Sequence, residues 1–116
     1  MVEDNEIVRM LTCDLLGDLG YKVLAAENPE QCLKIVRGYS KRIDLLLTDV
    51  VMPVMNGKEL YEILKPVRPE MKVLFMSGYA KNIIDQHGIM AGNLNFIQKP
   101  FSLQTLAEGI RHAIDS

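Results

Sequence analysis

Short apolar runs alternating with helical stretches constrain this chain more than any other feature. Strand-like runs occur at Tyr21–Ala25, Ile43–Thr48, Val73–Met76 and Asn95–Gln98. The Leu-rich run at Ile43–Thr48, bounded by turn residues, reads as a strand buried on both faces. Helical periodicity fills the gaps. Ile7, Leu11, Leu15 and Leu19 recur every four residues, with Val8 and Leu16 widening the stripe. Leu103, Leu106, Ala107, Ile110 and Ile114 recur at three and four and predict a C-terminal amphipathic helix. Asn28-Pro29 is a helix start, since Asn caps and Pro suits the first turn. Ser102 is placed to cap the last helix.

Strand–helix alternation with connections this short predicts parallel strands and right-handed crossovers. Taking Met1–Glu3 as the first strand gives five strand slots and five helices in an α/β domain. A chain of 116 residues makes one domain, 1–116. The first strand is shorter than the five or six residues usual for a strand, so further residues are expected upstream of Val2. The fourth helix, Lys81–His87, is the weakest element, because Gly88 and Gly92 interrupt it and each interior Gly costs about 1 kcal/mol relative to Ala.

Composition narrows the class. Apolar residues make up 48% of the chain, enough for a packed core. A net charge of −2 offers no footprint for nucleic acid or an anionic membrane. No apolar stretch approaches the ~18 residues of a membrane span, and no signal peptide opens the chain. Cys13 and Cys32 form no spaced ligand set and suit small buried positions in predicted helices. Together these features point to a cytosolic, cytoplasmic setting.

Asp49 follows the run Ile43–Thr48 and precedes Val50-Val51-Met52-Pro53-Val54-Met55-Asn56-Gly57. A carboxylate there sits at the mouth of an α/β sheet, where ligands of open sheets bind. The other strand ends carry Glu3-Asp4, Ser77 and Lys99. Three acids that converge repel one another unless a cation or lysine joins them. Hard oxygen donors with positions left for water suit Mg²⁺. Each residue also has a purely structural use. Asp49 could cap a turn before Asn56-Gly57, and Glu3 and Asp4 could favour the first helix dipole. Ser77 could be a turn residue and Lys99 a solvated lysine. His87 and His112 lack ligand-spaced partners and read as surface residues.

The four motifs in this order resemble the receiver domain of two-component response regulators. They are Val2-Glu3-Asp4-Asn5-Glu6, Asp49 with Met52-Pro53 and Asn56-Gly57, Met76-Ser77-Gly78-Tyr79-Ala80, and Lys99-Pro100-Phe101. The Met-Ser-Gly-Tyr and Gln-Lys-Pro-Phe-Ser wording is similar to receivers attached to hybrid sensor histidine kinases. The resemblance covers the chain apart from the start of the first strand. It implies a doubly wound, flavodoxin-like, five-stranded parallel sheet of order 2-1-3-4-5 flanked by five helices, with a truncated first strand.

The resemblance further implies that Asp49 accepts a phosphoryl group from a phosphohistidine on a histidine kinase or histidine phosphotransfer protein. Asp4 and Asp49 would ligate Mg²⁺ directly, the Val51 backbone carbonyl would be a third protein ligand, and Glu3 would act through a bound water. Lys99 would pair with Asp49 and then with a phosphoryl oxygen, and the Ser77 hydroxyl would bond another. Phe96, three residues before Lys99, stands at the aromatic switch position, and lacking a hydroxyl it is expected to favour the inward rotamer. The output face would comprise the fourth helix, fifth strand and fifth helix. The Lys99-Pro100 bond is a cis candidate. Val51 and Tyr79 would flank the path of attacking water; an apolar and an aromatic side chain there would not help orient it, which predicts slow self-dephosphorylation.

Such a domain catalyses its own Mg²⁺-dependent phosphorylation and dephosphorylation without being a turnover enzyme. It needs no direct nucleic-acid or membrane contact, and a homodimer is compatible with it. The alternative is a pseudo-receiver that works only through protein contacts. A haloacid-dehalogenase-type phosphatase would need a second acid two residues after the nucleophile, where this chain has Val51.

Overall fold

The computed structural model describes residues 1–50, 52, 55–77, 96–99 and 101–115, which fall in two compact units, Met1–Arg42 and Ile43–Ser116. The first unit holds helices α1 (Glu6–Asp18) and α2 (Pro29–Gly38). Asn5 caps α1 by accepting a bond from the Val8 amide at 3.0 Å. The helix stops in a two-bond C-terminal motif, Tyr21 N–H to Leu16 O at 3.1 Å and Gly20 N–H to Gly17 O at 3.0 Å. Gly20 there adopts φ 90°, a left-handed conformation that a Cβ would penalise. As expected, Asn28 caps α2, accepting from Gln31 N at 2.8 Å, and Pro29 fills the first turn.

Two expectations for this unit need correction. The buried face of α1 is not centred on Ile7 and Leu11, which are 70% and 59% exposed. The inward row is Val8, Thr12 and Leu16, with Thr12 and Leu16 buried. These three are spaced by four and share one face; the polar Thr12 hid that row from a hydropathy count. The run Tyr21–Ala25 forms no strand ladder. A single parallel bridge joins Val2 to Ala26. Its bonds are Met1 N–H to Leu24 O and Ala26 N–H to Met1 O, both 2.9 Å, and Glu3 N–H to Ala26 O at 3.1 Å. Cys32 is buried, whereas Cys13 is only half-buried.

The second unit is a parallel three-stranded sheet of order β1-β2-β3, with β1 Leu45–Asp49, β2 Lys72–Ser77 and β3 Phe96–Gln98. The register places Asp49 opposite Met76 and Ser77 opposite Gln98. Leu46 to Asp49 and Val73 to Met76 are buried at every successive position. Successive side chains point to opposite faces, so both faces of these strands are covered.

Helix α3 (Gly57–Leu64) contacts β1, and α4 (Leu103–Asp115), the fifth helix of the sequence reading, contacts all three strands. A reciprocal cap starts α3. Asn56 Oδ1 accepts from Glu59 N at 2.8 Å, and Glu59 Oε1 accepts from Asn56 N at 3.0 Å. Ser102 Oγ caps α4, accepting from Thr105 N at 3.1 Å. Leu106, Ile110 and Ala113 of α4 are buried. Gly109 lets that helix lie close, since a Cβ there would stand 2.8 Å from Ile97 Cγ2. The expected helix Lys81–His87 and the Lys99-Pro100 bond lie outside the described residues. Among the described residues no helix is long and apolar enough to cross a membrane.

Candidate functional site

Parallel pairing brings the C-terminal ends of β1, β2 and β3 to one edge of the sheet. Asp49 ends β1, Ser77 ends β2, and Lys99 follows Gln98, the last residue of β3. The ladder continues one step past Asp49, with Val50 N–H donating to Met76 O at 2.9 Å. Asp49 is thereby fixed by its neighbours on both sides along the chain.

The Lys99 ammonium donates to Asp49 Oδ1 at 2.6 Å, with side-chain exposures of 24% for Lys99 and 4% for Asp49. A carboxylate buried this deeply is costly unless a charge or strong donor meets it. The short N–H···O⁻ contact is of the charge-assisted kind, stronger than a neutral hydrogen bond. Two acceptors on an ionised carboxylate, one of them gripped by an ammonium, make a group that can attack an electrophile while its charge stays balanced.

The backbone around Asp49 is equally crowded. Thr48, fully buried, donates its hydroxyl to Asp49 O at 3.1 Å. Gly57 N–H donates to Val50 O at 2.8 Å, which pulls the start of α3 against the end of β1. A Cβ at Gly57 would collide with the Asp49 carbonyl oxygen and lie 3.1 Å from Thr48 Cγ2. Asn56-Gly57 stands out as a motif in the sequence, but the task of Gly57 shows only in the fold. Its position directly after a helix-capping Asn and eight residues beyond the acid was the available signal.

In the first unit, Glu3 is fully buried and Asp4 exposed. Glu3 Oε2 accepts from Asn5 N at 3.2 Å, and Glu3 O accepts from Arg9 Nη1 at 3.0 Å. Phe96 is half-buried, with Phe75 as its Cα partner in β2. Val51, Tyr79 and the side chain of Ser77 lie outside the described residues. The site residues brought into contact within one unit are therefore Asp49 and Lys99.

The family model described as the response regulator receiver domain matches residues 1–111. Sensor kinase CckA of Brucella abortus (strain 2308) is 33% identical over 115 residues, which are 99% of this chain and 12% of that protein. Chemotaxis protein CheY of Bacillus subtilis (strain 168) is 28% identical over 116 residues, 99% of this chain and 95% of that protein. A crystal structure of the receiver domain from hybrid histidine kinase CckA superposes with a TM-score of 0.79 at 33% identity, covering 97% of this chain and 94% of that one. The chain spans 12% of the sensor kinase and no more than 30% of two further curated relatives, so similarity extends over only a part of those proteins. On this match and superposition, the chain belongs to the response regulator receiver domain family of two-component signalling.

Proposed function

We propose that residues 1–116 act as one phosphoacceptor domain that takes a phosphoryl group from a phosphohistidine onto Asp49. The observation that carries this reading is the Lys99 ammonium 2.6 Å from a buried Asp49 carboxylate at the sheet edge. The family's five-strand order, 2-1-3-4-5, would have its first two places taken by Met1–Glu3 and the segment ending at Ala26, which meet through a single bridge.

In the reaction, an Asp49 carboxylate oxygen attacks phosphorus as the P–N bond of the phosphohistidine breaks. The electron pair leaves on the imidazole nitrogen, and the new O–P bond is an acyl phosphate. Such transfers proceed through a loose, in-line transition state, so placement and charge neutralisation are the main demands on the protein. Lys99 meets part of that demand by moving from the carboxylate to a phosphoryl oxygen. The Ser77 hydroxyl donates to another.

The donor chemistry fits Mg²⁺: Glu3, Asp4 and Asp49 are all hard oxygen donors, and one lysine does not balance three carboxylates. Asp4, Asp49 and the Val51 carbonyl would hold the ion, with Glu3 acting through water. When bound, it supplies charge neutralisation on the phosphoryl oxygens.

Loading of Asp49 draws on Ser77, and Phe96 turns inward as the switch toward the face formed by the fourth helix, fifth strand and fifth helix. The donor is a histidine kinase or histidine phosphotransfer protein in the cytoplasm, and the identity to sensor kinase CckA supports a place in a hybrid-kinase relay. Incubation with acetyl phosphate and Mg²⁺ tests the reading by intact mass. One phosphoryl group should add to the wild type and none to Asp49→Asn. A wild type that stays unmodified would overturn phosphoacceptance and leave a receiver that works through protein contacts alone.

A further inference from the structure

Arg9 closes the first turn of α1 and is half-buried. Its Nη1 donates to Glu3 O at 3.0 Å, six residues back along the chain. That carbonyl belongs to the peptide joining Glu3 to Asp4. The same short segment is held at three further points. Glu3 N–H donates to Ala26 O at 3.1 Å, Asn5 N–H donates to Glu3 Oε2 at 3.2 Å, and Asn5 Oδ1 caps α1 on the Val8 amide. The Arg9 backbone N–H closes on Asn5 O at 2.8 Å. One residue thus grips the turn twice, by its amide at Asn5 and by its guanidinium at Glu3.

We propose that Arg9 is a positioning residue for the acidic turn: its guanidinium on the Glu3 carbonyl fixes the direction in which the Glu3 and Asp4 carboxylates leave the chain, and so sets the affinity of that turn for Mg²⁺. The proposal rests on the metal role given to Glu3 and Asp4 above. It also separates cleanly from a simple charge effect. A cation beside the acids would, by charge alone, oppose a divalent ion. Removing Arg9 would then tighten metal binding. A positioning role has the opposite sign, because the carboxylates must pay the ordering entropy that the guanidinium now covers.

The test uses the full chain, with Mg²⁺ titrations followed by the backbone amide shifts of Asp4 and Asn5 and by hydrogen exchange of the Asn5 amide without metal. Arg9→Ala should weaken Mg²⁺ binding about tenfold, the low end for removing a group that orients a metal ligand. Asn5 exchange should quicken in the same variant, because its bond to Glu3 Oε2 loosens. Arg9→Lys, which keeps a donor and the charge, should recover part of the affinity. Should Arg9→Ala fail to fold, Arg9→Met keeps a long stem without a donor and provides the comparison. Equal or tighter Mg²⁺ binding by a folded Arg9→Ala or Arg9→Met would overturn the proposal. A wild type that binds no Mg²⁺ at all would instead overturn the metal role itself, and this inference with it.

Discussion

Lys99 reaches Asp49 across the end of an intervening strand, its Nζ 2.6 Å from Oδ1. Asp49 ends β1 and Lys99 directly follows β3, with β2 between them in the order β1-β2-β3. Two strand spacings are roughly 9–10 Å, a gap that an aspartate can close only with a long partner. Lys99→Met removes this ammonium and leaves the Asp49 carboxylate in place. Urea unfolding should show a loss of about 1–3 kcal/mol, the cost of leaving a buried charged group short of a partner. The double variant Lys99→Met/Asp49→Asn should recover much of it. Equal stability of Lys99→Met and wild type would show that the bridge contributes nothing to folding.

Gly57 has no room for a side chain. Gly57→Ala forces a methyl group onto the Asp49 carbonyl and should cost about 1–3 kcal/mol through displaced backbone. Asn56→Ala, which only removes the α3 cap, should cost about 1 kcal/mol. If Asp49 placement governs the chemistry, Gly57→Ala slows phosphoryl uptake far more than Asn56→Ala. Uptake rates that scale only with stability would separate Gly57 from the site.

The rotation of α1 is checked by opposite substitutions. Ile7→Lys and Leu11→Lys change exposed side chains and should shift stability by no more than about 0.5 kcal/mol. Leu16→Ala empties a buried position and should cost about 2–5 kcal/mol. Thermal unfolding of the three variants decides between this orientation and one with Ile7 and Leu11 inside.

Cys32 responds to pH through its burial. Burial pushes its thiol above the ordinary value of 9.0, with the nearby amino terminus pulling weakly the other way. A thiol with a raised folded pKa stays protonated in the native chain after the unfolded chain has lost its proton. The stability this provides is full below pH 9.0 and is lost as pH rises through the folded value. Stability should therefore fall above that pH, and Cys32→Ala should flatten the fall. Iodoacetamide should modify half-buried Cys13 well before Cys32. Simultaneous labelling would contradict the burial.

If Asp49 carries the proposed acyl phosphate, Val51→Asn should shorten its lifetime. An amide two residues after Asp49 gives attacking water a polar group where valine gives none. Loss of phosphate from the loaded protein should quicken several-fold when followed by intact mass. An unchanged lifetime would remove Val51 from the water path.

Much of this architecture was legible because parallel strands buried on both faces leave unbroken apolar runs, and their ends announce the edge where polar residues gather. Asp49 and Lys99 are fifty residues apart, yet each directly follows a strand-like run, the one before Asp49 buried on both faces and the one before Lys99 shorter and ending in exposed Gln98. Caps were legible too, since Asn28 and Ser102 act on amides three residues away. Features set by tertiary contact were not. The inward face of α1 runs through Thr12, whose hydroxyl lowers its hydropathy without keeping it from the core. The task of Gly57 depends on how closely α3 approaches β1. The grip of Arg9 on Glu3 leaves no trace in periodicity at all.

The opening residues carry a practical consequence. Two of the three bonds tying this stretch to the segment near Ala26 use Met1, one through its nitrogen and one through its carbonyl. An extension fused ahead of Met1 would still present an N–H to Leu24, whereas trimming Met1 would erase both. Glu3 and Asp4 would then hang from a single remaining tie to that segment. The residue ahead of the acidic turn thus does much of the work of holding it, and an expressed form that keeps Met1 keeps that hold.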